Sequence, residues 1–174
     1  SIFMHHVSRK VKGVEFSTGS LGHGLPFGLG KAIWLKDKFG GDAPQVFVLV
    51  GDGELAEGSN WEAFLIAAHH KVYNLTVIVD NNNLQSFKSV EETLSLGSLE
   101  KKLHAFNWDY FEVNGHDHNE LKHVLQIKTS KPKLVNCQTL KGKGVSFMEG
   151  SVKWHYANPN DEELKQAIKE LDNE

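Results

Sequence analysis

The chain has one cysteine, four prolines and two methionines among 174 residues. With Cys137 alone, no intrachain disulfide can form. Its place in an apolar, strand-like run predicts a buried core thiol. A reducing, cytoplasmic setting is the matching expectation. No stretch approaches the roughly 20 apolar residues of a membrane helix, and the first residues lack a signal peptide's apolar core. Net charge is only −3, with acids and bases interspersed, so neither nucleic acid nor an anionic membrane finds a single-sign surface. There is no internal repeat and no low-complexity linker. The length suits one domain over 1–174 with a sizeable core.

What is present centres on one stretch, Gly51 to Asn83. The run Val46-Phe47-Val48-Leu49-Val50 leads into Gly51-Asp52-Gly53, and Thr76-Val77-Ile78-Val79 leads into Asp80-Asn81-Asn82-Asn83. Both runs are short, β-branched and followed by turn residues, the pattern of buried parallel strands. The segment between them, about Glu57 to His70, has helical spacing, with Trp61, Phe64, Leu65 and Ala68 expected to form the buried stripe. Strand, helix, strand implies a crossover in a parallel sheet, with Asp52 and Asn82 just past the strands' carboxyl ends, where such sheets bind ligands.

The chemistry of that pair is all oxygen. The Asp52 carboxylate, the Asn82 amide and the Leu84 carbonyl suit Mg²⁺ or Ca²⁺. Gly51 and Gly53 admit a close ligand, and a helix starting near Glu57 favours an anion. Metal plus amide donors suggests a bound diphosphate. A Gly-Asp-Gly turn and an Asn-rich turn without a ligand is the alternative.

Elsewhere, Pro26 to Phe39 reads as a helix with Phe27, Ile33, Trp34 and Leu35 as core, closed by Gly40-Gly41. Asn81 to Ser95 reads as a polar loop and Leu99 to Phe106 as a short helix. Tyr110 to Val113 and Lys133 to Thr139 read as strands, and Asn119 to Lys128 as a helix that Asp117 and Glu120 start as a capping box. Asp161 to Leu171 is an amphipathic helix with Leu164, Ala167, Ile168 and Leu171 inward. Adjacent His5 and His6 are a possible metal pair, and Lys141-Gly142-Lys143-Gly144 either a phosphate-binding turn or a solvated loop. Alternating strands and helices fit a doubly wound α/β fold.

Three segments resemble one family. Phe16-Ser17-Thr18-Gly19-Ser20-Leu21-Gly22-His23-Gly24, Gly51-Asp52-Gly53-Glu54-Leu55-Ala56-Glu57-Gly58 and Leu140 to Glu149 are similar to transketolases. They are most similar to the amino-terminal subunit of split bacterial transketolases, and Gly-Asp-Gly with Asn82 thirty positions after Asp52 resembles the thiamine diphosphate motif. The resemblance implies a mainly parallel sheet with helices on both faces, incomplete on its N-terminal side. It implies that Leu21, Gly22, Gly51, Asp52, Gly53, Glu54, Asn82 and His155 bind the cofactor, and that Asp52, Asn82 and Leu84 hold the metal. His6, His23 and His155 would serve substrate oxygens and proton transfers. Glu57 and Glu62 would join an acidic network at a subunit interface.

The implied reaction moves a two-carbon ketol unit from a ketose to an aldose, both sugars or sugar phosphates. The implied partner is a pyrimidine-binding C-terminal subunit, in a homodimer or heterotetramer, because the glutamate that activates the cofactor has no domain here to carry it. Two further histidines that the family carries upstream of the His6 position have no counterpart. The chain therefore looks truncated, and the expectation is that alone it transfers nothing. Tyr156 stands where the family usually has glycine, which narrows the site or shifts its loop. Alternatives are another thiamine diphosphate enzyme acting on 2-oxo acids, and a non-catalytic assembly module.

Overall fold

A computed structural model describes residues 6–173, so His5 of the histidine pair lies outside the described residues. Four strands, β1 (Val46–Gly51), β2 (Leu75–Asn81), β3 (Asp109–Asn114) and β4 (Lys133–Gln138), form one parallel sheet in the order β1-β2-β4-β3. Around it lie α1 (Gly24–Phe39), α2 (Gly58–His69), α3 (Val90–Leu94), α4 (Leu99–Ala105), α5 (His118–Gln126) and α6 (Asp161–Leu171).

Side chains alternate across the sheet. Val48, Val50, Val77, Val79 and Leu134 meet α1, α2 and α4 around Phe64 and Trp108. Trp108 Nε1 donates to the Phe64 carbonyl at 2.8 Å, and the two rings meet edge to face at 5.0 Å. On the opposite face Val135 and Cys137, with Ile78 and Phe111, pack against α5 through Val124. Helices on both faces confirm the doubly wound reading. Burial pushes the Cys137 thiol up, with the Asp80 charge adding to it. The register sets Gly51 level with Asp80 and Asp80 level with Cys137, so three strand ends open side by side.

The helix faces differ from expectation. In α1 the buried residues are Leu25, Gly28, Leu29, Ala32 and Leu35, while Phe27 and Trp34 are exposed. A side chain at Gly28 would sit 2.4 Å from Val48 Cγ2, so small residues face the sheet and let the helix lie close. In α2 the stripe is Asn60, Ala63, Phe64 and Ala67, with Leu65 exposed. Of the α6 residues expected inward only Ala167 is buried; Leu164, Ile168 and Leu171 are exposed.

Two helix starts also differ. The expected loop at 81–95 contains α3, started by a Ser89–Glu92 capping box. Asp117 caps α5 as expected, but Glu120 accepts from the Asn114 N–H at 2.8 Å rather than from Asp117.

Lys133 carries an unexpected load. It is buried, and its Nζ donates to the carbonyls of Val124, Leu125 and Ile127 at 2.9, 3.1 and 2.7 Å, closing the end of α5. Burial lowers its pKa. Lys133→Ala leaves those carbonyls without their cation, and a loss of about 1–3 kcal/mol is expected in denaturant unfolding.

Candidate cofactor site

The site is built at the carboxyl ends of β1, β2 and β4. Asp52 follows β1 and is only 4% exposed. Its Oδ1 accepts from the Gly53 N–H at 2.7 Å and its Oδ2 from the Asn83 N–H at 2.5 Å. Burial pushes its pKa up and the Asp80 charge adds to that, against the bonds from Gly53, Asn83 and Asn82. All three of these donors are backbone amides, not cationic side chains.

Asn82 brings its amide oxygen to the same turn, where Oδ1 accepts from the Leu84 N–H at 3.0 Å. Its Nδ2 lies 3.4 Å from Asp80 Oδ1, which also accepts from the Thr139 hydroxyl beyond β4. Asp80 is thus a second acid of the site that sequence reasoning gave no role; its signal was an acidic residue at the end of a buried strand. Among the described residues no three His, Cys, Asp or Glu gather as a metal cluster. The candidate set is instead carboxylate, amide oxygen and main-chain carbonyl. A buried carboxylate beside a second acid is the environment that a hard divalent cation neutralises, so the residues present fit one.

Beyond Leu84 the chain makes a tight hairpin. Leu84 bridges Ser89, and the Gln85 N–H donates to the Lys88 carbonyl at 2.8 Å. Gln85 lies against Gly53, where a Cβ would come within 2.8 Å of its Cγ. The Gln85 Nε2 is enclosed there without a hydrogen-bond partner. An orphaned donor beside the Gly-Asp-Gly turn suits an anionic oxygen, so the residues present also fit a diphosphate. The Gly53 N–H donates to Asp52, and its missing side chain makes room for Gln85. Gly51 faces open space.

The loop before α1 is also self-bound. Gly22, at φ 77°, donates to Glu54 Oε1 at 2.8 Å, and its carbonyl accepts from Ser59 Oγ at 2.6 Å. Glu54 Oε2 accepts from the Gly51 N–H at 3.3 Å. Gly22 and Glu54, expected on the cofactor, are joined to each other and tie the 20–24 loop to the end of β1. Leu21 is exposed, and His23 stands at the N-cap of α1 without a side-chain cap bond, its Nδ1 3.1 Å from the Leu21 carbonyl. His6 packs on Gly19, where a Cβ would come within 2.9 Å of its ring.

A cleft of about 830 Å³ runs along the outer edge of β1 and is lined by His6, Leu21, Phe16, Phe27 and Glu54. Asp52, Asn82 and His155 do not line it. The expected site residues therefore fall into separate groups: His6, Leu21 and Glu54 in this cleft, a second group with Asp52 and Asn82 at the strand ends, and Gly22, His23 and Glu62 along a groove between α1 and α2.

His155 belongs to the second group. It ends a 3₁₀ turn, Val152–His155, and its Nε2 lies 3.4 Å from Ser86 Oγ at the hairpin tip. The 141–150 segment that supports it is a folded turn, with Val145 buried and Lys143 exposed. The Gly150 N–H donates to the Lys141 carbonyl at 2.9 Å, and Ser146 is anchored to Glu170 through both its N–H and its hydroxyl. Trp154 Nε1 donates to the Phe147 carbonyl at 2.8 Å. Glu57 and Glu62 are exposed; Glu57 caps α2 by backbone alone, and Glu62 lines a groove of about 430 Å³ between α1 and α2.

An α/β domain with carboxylate and amide groups gathered at the ends of parallel strands is the class that fold and site define. Residues 4–174 match the family described as transketolase, thiamine diphosphate binding domain. The chain belongs to that family. It is 42% identical over 172 residues to an apulose-4-phosphate transketolase subunit from Actinobacillus succinogenes, covering 98% of this chain and 62% of that protein. It is 33% identical to the 6-deoxy-6-sulfo-D-fructose transketolase subunit of a Clostridium species, covering 98% and 62%. The crystal structure of transketolase from Campylobacter jejuni superposes with a TM-score of 0.86 at 32% identity, over 92% of this chain and 26% of that one. The chain thus spans about three fifths of the length of the two subunits it matches.

Proposed function

We propose that this chain is the cofactor-binding part of a transketolase that moves a two-carbon unit between sugars. The observation that carries the reading is the buried Asp52 carboxylate, which accepts from the backbone amides of Gly53 and of the Asn82–Asn83 turn and lies within reach of the Asp80 charge. Asp52, Asn82 and the Leu84 carbonyl would hold Mg²⁺ or Ca²⁺, and the Gln85 amide would face the diphosphate of thiamine diphosphate. The cofactor supplies the carbanion chemistry. The chain's residues bind and orient it and place imidazoles where substrate oxygens gain and lose protons. His155 and His23 take that role, with His6 on the neighbouring cleft, since imidazole exchanges protons near neutral pH.

The named relatives act on a sugar phosphate and a sulfo-sugar, which supports a substrate with an anionic far end rather than a pentose phosphate in particular. A pyrimidine-binding subunit completes the site in the cytoplasm. The groove between α1 and α2, with exposed Ile66 and Glu62 on its wall, supports a paired assembly there, whether homodimer or heterotetramer. The test is ketol transfer. The full-length subunit with its partner, Mg²⁺ and thiamine diphosphate is expected to transfer the unit, and the chain alone is not. A complex that binds cofactor yet transfers nothing contradicts the reading.

A further inference from the structure

We infer that Phe87 and Tyr156 form an aromatic wall beside His155 that selects the substrate by contact with its carbon chain. This wall rests on the proposed ketol transfer and adds a specificity determinant to it. The hairpin after β2 puts Ser86 and Phe87 at its tip. Its base carries Asn82 and Leu84, so the tip is fixed relative to the cation ligands by the Leu84–Ser89 bridge and the Gln85–Lys88 bond.

The tip reaches the segment after β4 at two points. Ser86 Oγ meets His155 Nε2 at 3.4 Å, and the Phe87 ring lies 6.1 Å from the Tyr156 ring, tilted by 37°. Tyr156 also meets the His155 ring edge to face at 4.6 Å. The three rings make one continuous aromatic surface, yet Phe87 is 81% and Tyr156 62% exposed. Neither is core, and neither position is loose. The hairpin is closed by its own bonds, and the Tyr156 segment is braced by Trp154 on Phe147 and by the Ala157 N–H on the Lys153 carbonyl.

An exposed, held aromatic pair beside a histidine has a specific chemical use. Its faces attract C–H groups, which sugars present along their carbon chains, and shield them from water. Such a wall contributes in proportion to the length of chain that lies on it. A long aldose touches it, and a two-carbon aldehyde that reaches only the reacting centre does not.

The experiment compares acceptors in the full complex with its partner subunit, thiamine diphosphate and Mg²⁺. Hydroxypyruvate serves as donor, since loss of CO₂ leaves the same two-carbon unit. Glycolaldehyde and ribose 5-phosphate serve as short and long acceptors. For Tyr156→Gly the ratio of KM for ribose 5-phosphate to KM for glycolaldehyde is expected to rise about tenfold, and for Phe87→Ser several-fold; Tyr156→Phe keeps the wild-type ratio. A loss of folding or of His155 placement moves both acceptors together, so an unchanged ratio in both variants overturns the wall while leaving the ketol-transfer reading intact. A wild-type complex that binds cofactor but serves neither acceptor overturns both.

Discussion

Asp52→Asn abolishes cation-dependent binding of thiamine diphosphate, with affinity expected to fall more than about 100-fold, or roughly 2.7 kcal/mol. The substitution keeps the size of the side chain and one acceptor for the Gly53 or Asn83 amide, so the fold survives. It removes the charge that the cation needs. Asp52→Ala is a harsher variant because it also leaves two backbone N–H groups without their acceptor, at about 1–3 kcal/mol each. The pH dependence follows from the direction of the shift. Burial raises the Asp52 pKa in the folded chain, so without a cation the folded state holds that proton more tightly than the unfolded state. Stability of the cation-free chain from this group therefore declines as pH rises from the ordinary carboxylate range through the raised value. Cation affinity runs the other way and weakens as pH falls through it, because the ligand must be deprotonated. Calorimetric titrations at several pH values check both trends, and Asp52→Asn should flatten them.

Gly22→Ala is expected to destabilise the domain by about 2–4 kcal/mol, lowering Tm by roughly 5–15 °C. Gly22 has φ 77°, and a Cβ there would lie 2.6 Å from both Glu57 Cβ and Ser59 Oγ. Neither neighbour is the far end of a long flexible side chain, so the loop itself has to move. Moving it breaks the Gly22–Glu54 bond that connects the 20–24 loop to Gly51 at the end of β1. Cofactor affinity should fall with it, through position and not through a lost contact. Gly24→Ala is the control. It lies two residues on, inside α1, and a Cβ there meets nothing within 4 Å. Scanning calorimetry of the two variants should show a large loss for the first and little change for the second; equal behaviour would mean that the close packing at Gly22 does not matter.

The strands were legible because β-branched runs ending in Gly-Asp-Gly and Asp-Asn-Asn-Asn have few other uses. The meeting of Asp52 with the Asn82–Asn83 turn could be read for the same reason, since parallel pairing aligns strand ends. Faces of helices were less legible. Hydrophobic size pointed to Phe27 and Trp34, but close approach of α1 to Val48 selected Gly28 and Ala32. The motifs do not show that Gly22, Gly53 and Glu54 also make hydrogen bonds within the chain. A short motif names the residues that build a loop without saying which point inward and which point to the ligand. Asp80, Gln85 and the Phe87–Tyr156 pair depend on tertiary contacts between segments as much as 69 residues apart, as Ser86 and His155 are, and no local pattern encodes them.

A cation-assisted diphosphate site at Asp52 and Asn82 is tested most directly by titrating thiamine diphosphate into the full-length subunit with its partner, once with Mg²⁺ and once with EDTA, for wild type and Asp52→Asn. Saturable binding in wild type with Mg²⁺, lost in EDTA and lost in Asp52→Asn, is the predicted result. Binding that survives both EDTA and Asp52→Asn would contradict it.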